Sequence, residues 1–242
     1  MDTAPKDVLL VITDISGYTR FMVANRKALF HAQTIIAELM QAIIAEVDIP
    51  LEISKLEGDA VFLYAIRDKE HAWAESSEKI ALKLRAFHAA FSEKLSGLRK
   101  VTSTCDCEAC RHVTDLKLKI VVHSGQALFS HVGKFYELSG PDVILAHRLL
   151  KNTVQADEYI LFTEEARAVL PTVGAEDLLK SAETYDHFGT VPIYVSVLSA
   201  QESARGAWDM IAVRLGHAFT LVTVWLRRNI LGRRRESGDL VY

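Results

Sequence analysis

Leu51-Glu52-Ile53-Ser54-Lys55-Leu56-Glu57-Gly58-Asp59-Ala60-Val61-Phe62-Leu63-Tyr64-Ala65-Ile66 reads as two strands around a Gly-Asp turn. So short a connection makes them an antiparallel hairpin. Pro50 closes a long helical pattern over residues 18–47, in which Phe21, Leu29, Ile36, Leu39, Ile43 and Val47 recur at helical spacing. Residues 7–14 before it, with the apolar run Val8-Leu9-Leu10-Val11-Ile12, read as a buried strand. A second helix follows over residues 69–98, with Trp73, Ile80, Leu84, Phe87 and Phe91 on its apolar face. Strands are then expected at 116–123, 159–162 and 191–198, with a shorter helix at 140–150. The order βα, ββ, αβ, αβ and a last strand predicts an α+β fold, a mixed and mostly antiparallel sheet with helices packed on it.

The chain has 242 residues, 50% of them hydrophobic and 24% charged, and a formal net charge of -3. That composition suits one large globular domain, expected over residues 7–198, and gives no electrostatic reason to expect nucleic acid as a partner. The amino-terminal residues run directly into a strand, so no signal peptide is expected and the compartment reads as cytoplasmic. Residues 199–242 change character. Trp208, Ile211, Leu215, Phe219, Val222, Trp225 and Ile230 form a helical stripe, flanked by Arg205, Arg214, Arg227, Arg228 and the run Arg233-Arg234-Arg235. An apolar face with tryptophans and arginines suits either a membrane surface, contacted through residues 205–235 at the inner face, or packing on the domain or a second subunit.

All three cysteines lie in Cys105-Asp106-Cys107-Glu108-Ala109-Cys110, with His112 just beyond. An odd, clustered set is a poor disulfide framework. Three thiolates and an imidazole are instead a donor set that suits Zn²⁺, and a loop of reduced cysteines is the plain alternative.

Two acidic residues stand out. Asp14 ends the first apolar run, and Asp59 lies in the hairpin turn, so the two can meet at one sheet edge. Carboxylate oxygens there suit Mg²⁺ or Mn²⁺. Taken singly, each is also ordinary as a helix cap or turn residue.

Four stretches carry a resemblance: Thr13-Asp14-Ile15-Ser16-Gly17-Tyr18-Thr19, Lys55 with Gly58-Asp59, residues 121–133, and residues 136–149. In that order and spacing the chain resembles the class III nucleotidyl cyclase domain, with its ferredoxin-like βαββαβ core. The resemblance implies that Asp14, Asp59 and the Ile15 carbonyl bind two Mg²⁺ or Mn²⁺ ions, and that Lys55 and Glu137 read the base. It implies that Arg148 stabilises the transition state, that the substrate is a nucleoside triphosphate such as ATP, and that a homodimer builds the site. The expected reaction makes a cyclic mononucleotide and pyrophosphate. Two positions depart from the pattern. Ile144 stands where an asparagine orients the ribose, and where a lysine grips the phosphates the chain offers only His187. A nucleotide-sensing or scaffolding module without turnover is therefore the alternative. His123 reads as a packed strand histidine, and Gly125, Gly133 and Gly140 as turn residues.

Overall fold

The computed structural model describes residues 4–67, 70–102, 108–170 and 178–198. Strand β1 (Lys6–Ser16) lies at the heart of the sheet, hydrogen-bonded on one edge to β3 (Ala60–Ile66) and on the other to β4 (Lys117–Val132). Val8 through Ile12 are fully buried, which is why this strand reads as an unbroken apolar run rather than as an alternation. Beyond β3, β2 (Glu52–Glu57) forms one edge, and its polar side chains suit an edge open to water. Beyond β4 come β6 (Tyr159–Thr163), β8 (Gly189–Val197) and, at the other edge, β7 (Leu179–Tyr185). A further strand, β5 (Phe135–Ser139), folds back on β4. The β4–β6 pair is parallel and every other pair in this eight-stranded sheet is antiparallel. The α+β fold read from the sequence is the fold observed.

Helices cover both faces. On one, Leu9, Val11, Leu63, Ile120 and Phe162 pack against α1 (Tyr18–Ala24), α2 (Leu29–Ile44), α3 (Glu70–Thr102), the single turn α4 (Glu108–Arg111) and α6 (Glu164–Val169). The other face carries α5 (Pro141–Leu149). Its Val143 and Ala146 meet Val8, Leu10, Ile12 and Phe62, while Leu145 and Leu149 meet Val121, Leu161 and Ile193. Helix α5 thus lies across the middle of the sheet.

Several details differ from the sequence reading, among them β5 and α6, for which no element was expected. The helical stretch expected over residues 18–47 is two helices separated by a 3₁₀ turn, Arg26–Ala28. The break falls at Asn25, a buried residue whose Nδ2 donates to the Phe21 carbonyl at 2.7 Å and so competes with helix continuation. Strand β7 was not expected because it has no apolar period. Its one buried residue is Glu183, whose carboxylate accepts from the Thr153 amide (2.8 Å) and hydroxyl (2.7 Å). Gly125 is not a turn residue: it lies inside β4, where a Cβ would collide with the Asp142 carboxylate. His123 is a packed strand histidine, as expected, bridging Thr163 Oγ1 at 2.9 Å and Asp142 Oδ1 at 3.4 Å. The arginine-flanked stripe in residues 205–235 lies outside the described residues. Among the described residues no helix is long and apolar enough to cross a membrane.

Candidate functional site

The antiparallel register fixes the first cluster. Asp14 on β1 stands opposite Ala60 on β3 and opposite Lys119 on β4. Gly58, with a φ of 66°, takes the left-handed turn between β2 and β3 that brings Asp59 back over the end of β1. There the backbone amides of Asp59 itself and of Ile15 lie close enough to the Asp59 carboxylate to favour its charged form. Burial, and then the neighbouring Asp14 charge, push the Asp59 carboxyl up to about 6, against the pull of Lys119 and the two amides. Asp14 Oδ2 is held by Lys119 Nζ at 2.9 Å, and Lys119 also donates to the Leu150 carbonyl just past α5, at 3.2 Å.

A second cluster forms around β2. Lys55 Nζ lies 3.1 Å from Glu57 and 3.6 Å from Glu137 on β5, so the two base-reading candidates do meet. Burial works to lower the Lys55 ammonium, but the carboxylates of Glu57 and Glu137 outweigh it and hold the pKa above its ordinary value. His147 on α5 joins through Glu57, with Nδ1 at 3.3 Å from Oε2, and its ring stands edge-on to Phe62 at 4.9 Å. Burial draws the imidazole pKa below its usual value, helped by Lys55 and opposed by Glu57.

The remaining candidates stand apart. Arg148 and Ile144, one helical turn apart on α5, are exposed, and Ile144 is 53% accessible. His187 occupies the exposed β7–β8 turn with a φ of 71°. None of the three makes a side-chain hydrogen bond or ion pair with another described residue. Of the proposed zinc ligands, Cys105 and Cys107 lie outside the described residues. Cys110 is buried, its Sγ 3.8 and 3.7 Å from the two ring nitrogens of His31, whereas His112 is exposed and pairs with Asp115 at 3.2 Å. The imidazole beside Cys110 is therefore His31, which the spacing of the motif had no means of indicating. Among the described residues no group of three or more His, Cys, Asp or Glu side chains is arranged to hold a metal ion. What the first cluster offers is two carboxylates and backbone oxygens. Hard oxygen donors with an uncompensated negative charge fit Mg²⁺ or Mn²⁺.

Sequence reasoning missed Lys119, Glu57 and His147. Lys119 was visible only as one lysine in the alternation of residues 116–120, and its role depends on the β1–β4 register.

Comparison with known proteins bears on both the sequence family and the fold. Residues 36–159, just over half of the chain, match a family described as protein of unknown function (DUF2652). An uncharacterised protein of Mycobacterium tuberculosis, Rv2561/Rv2562, is 30% identical over 159 residues, covering 63% of this chain and 71% of that protein. The chain belongs to the DUF2652 family. Its fold is that of nucleotidyl cyclase domains. The adenylyl cyclase CyaB from P. aeruginosa aligns with a TM-score of 0.59 at 17% identity, over 84% of this chain and 99% of that one. The guanylyl cyclase Cya2 gives 0.55 at 14% identity, over 83% and 96%. A bacterial light-regulated adenylyl cyclase gives 0.53 at 15%, over 85% and 98%.

Proposed function

We propose that this DUF2652 chain binds a nucleoside triphosphate, ATP by preference, and cyclises it at a site shared between two copies. The observation that carries this reading is the convergence of Asp14 and Asp59 at one end of β1, in a cyclase fold that also brings Lys55 against Glu137. Asp14 and Asp59 would hold Mg²⁺ or Mn²⁺ with the Ile15 carbonyl, supplying charge neutralisation on the phosphates and an acidified 3′-hydroxyl. The chain's own residues do the rest. Lys55 donates to, and Glu137 accepts from, the edge of the base. Arg148, contributed by the second copy, meets the charge that develops as the 3′-oxygen attacks the α-phosphorus and the bond to pyrophosphate breaks. The hydroxyl proton passes to solvent. An exposed face holding Ile144 and Arg148, and exposed Val132, Phe135 and Tyr136 on the β4–β5 hairpin, support a two-copy arrangement.

A second reading has its own observation. Ile144 points no hydrogen-bonding group from α5, and His187 sits in an exposed turn rather than a lysine position, which favours nucleotide binding without turnover. The deciding experiment measures products from each of the four nucleoside triphosphates with Mn²⁺ and with Mg²⁺, using Asp59→Ala as control. A cyclic product lost in the variant supports the cyclase. Metal-dependent nucleotide binding with no product supports the sensing module.

Two proposals rest on sequence alone. Residues 205–235 are proposed to lie on a membrane surface, which co-sedimentation with anionic vesicles tests against a chain ending at residue 199. The cysteine loop is proposed to hold Zn²⁺, and protein purified without added metal then carries about one equivalent of zinc.

A further inference from the structure

Among the described residues Lys119 is the one cation paired with these carboxylates, and the proposed reaction gives it no task. Its ammonium bridges Asp14 Oδ2 at 2.9 Å and the Leu150 carbonyl at 3.2 Å. The Lys119 and Asp14 side chains are only 18% and 17% exposed, so little water lies between them to weaken their attraction. A divalent ion on Asp14 would stand within a few ångströms of this ammonium. Arriving alone, it has to overcome the repulsion or drive Lys119 off its two acceptors. Arriving with a polyphosphate, it brings negative charge and fresh acceptor oxygens, and Lys119 exchanges a carboxylate oxygen for a phosphate oxygen.

We propose that Lys119 is a tethered counter-cation that holds Asp14 against free divalent metal and releases it only when metal arrives with a polyphosphate. This rests on the reading of Asp14 and Asp59 as metal ligands and adds to it an order of loading. It also assigns a phosphate-contacting lysine to a chain that lacks one before its last strand. The ammonium comes from β4 rather than from the turn holding His187.

The test is Mn²⁺ retention by the full chain, read by equilibrium dialysis and by the Mn²⁺ electron paramagnetic resonance signal, with and without inorganic tripolyphosphate. Three variants are compared with the parent: Lys119→Met, Lys119→Gln and the charge-retaining Lys119→Arg, each checked for folding by its thermal melt. Lys119→Met and Lys119→Gln are expected to bind free Mn²⁺ at least about tenfold more tightly than the parent, the scale on which one buried charge acts. Lys119→Arg stays as weak as the parent. Tripolyphosphate strengthens retention strongly in the parent and in Lys119→Arg, and about threefold or less in the neutral variants, because they have no ammonium to transfer. Equal free-metal affinity in parent and neutral variants, or equal response to tripolyphosphate, overturns the role of Lys119 and leaves the carboxylates as ligands. Folded proteins that retain no Mn²⁺ in any form overturn the metal reading itself, and this inference with it.

Discussion

Two clusters in this molecule contain the same ions and behave in opposite ways. At the end of β1, Asp14 and Asp59 share Lys119. At the edge strand, Glu57 and Glu137 share Lys55. Each has two carboxylates and one ammonium. In the first, the ion pair is less than one-fifth exposed and the second carboxyl is driven up to about 6. In the second, the partners are 37%, 36% and 39% exposed, and the carboxylates simply raise the lysine. Burial decides the difference. The inner cluster keeps an unrelieved negative charge that a divalent ion would neutralise, whereas the outer one is relaxed by water and free to meet a neutral, hydrogen-bonding partner such as a base.

The sharpest way to break this contrast is at Asp59. Asp59→Ala is expected to lower cyclic-nucleotide formation by roughly 10³-fold, the scale of removing a principal electrostatic stabiliser, in a product assay with Mn²⁺. Lys55→Ala, in the relaxed cluster, leaves the rate constant within a few-fold and raises the KM by about tenfold, as expected for an interaction made equally in ground and transition states. An equal loss of kcat and kcat/KM would place Lys55 in the chemistry instead.

Gain of function offers a second probe. Ile144→Asn on the exposed turn of α5 supplies a donor and acceptor where the chain has none. It is expected to raise turnover by about tenfold, a fraction of what one preorganised donor contributes. No change would favour the sensing module.

Stability separates the clusters again. Lys119→Met leaves the largely enclosed Asp14 carboxylate unpaired and is expected to cost about 2 kcal/mol in urea unfolding without metal. Lys55→Ala costs under about 1 kcal/mol, as for other exposed pairs. Similar values for both would mean that burial does not set the difference.

The last probe is pH. The folded-state pKa of Asp59, about 6, lies above its ordinary value of 3.8, so the folded protein holds a proton that the unfolded chain releases. The resulting stabilisation is complete below the unfolded value and is lost as pH rises from 3.8 to about 6. Relative to Asp59→Asn, which cannot titrate, metal-free protein should therefore lose stability between pH 4 and 6.5. A flat difference across that range would show that Asp59 is not driven upward.

The legible parts of the fold were those whose burial leaves a period in the sequence. Residues 8–12 are apolar throughout because β1 is enclosed on both faces there, and α3 shows its face in Trp73, Ile80, Leu84 and Phe87. Strand β7 left no such mark, since its buried residue is Glu183. At the candidate site, Asp14 and Asp59 could be brought together by reasoning because a strand end and a hairpin turn have few places to go. Lys119 could not, because only the pairing of β1 with β4, residue by residue, places it opposite Asp14. Nor could the Glu57–His147 contact, which depends on how α5 crosses the sheet. Gly125 looked like a turn because its true constraint, the approach of Asp142 from another element, is invisible along the chain.

The Lys119 ammonium does more than neutralise a carboxylate. Its second acceptor, Leu150, follows directly on the helix that carries Arg148. In the proposed two-copy assembly that arginine would serve the neighbour's substrate, so one side chain would join the filling of one site to the posture of the other. The two halves of such an enzyme would not count their substrates independently.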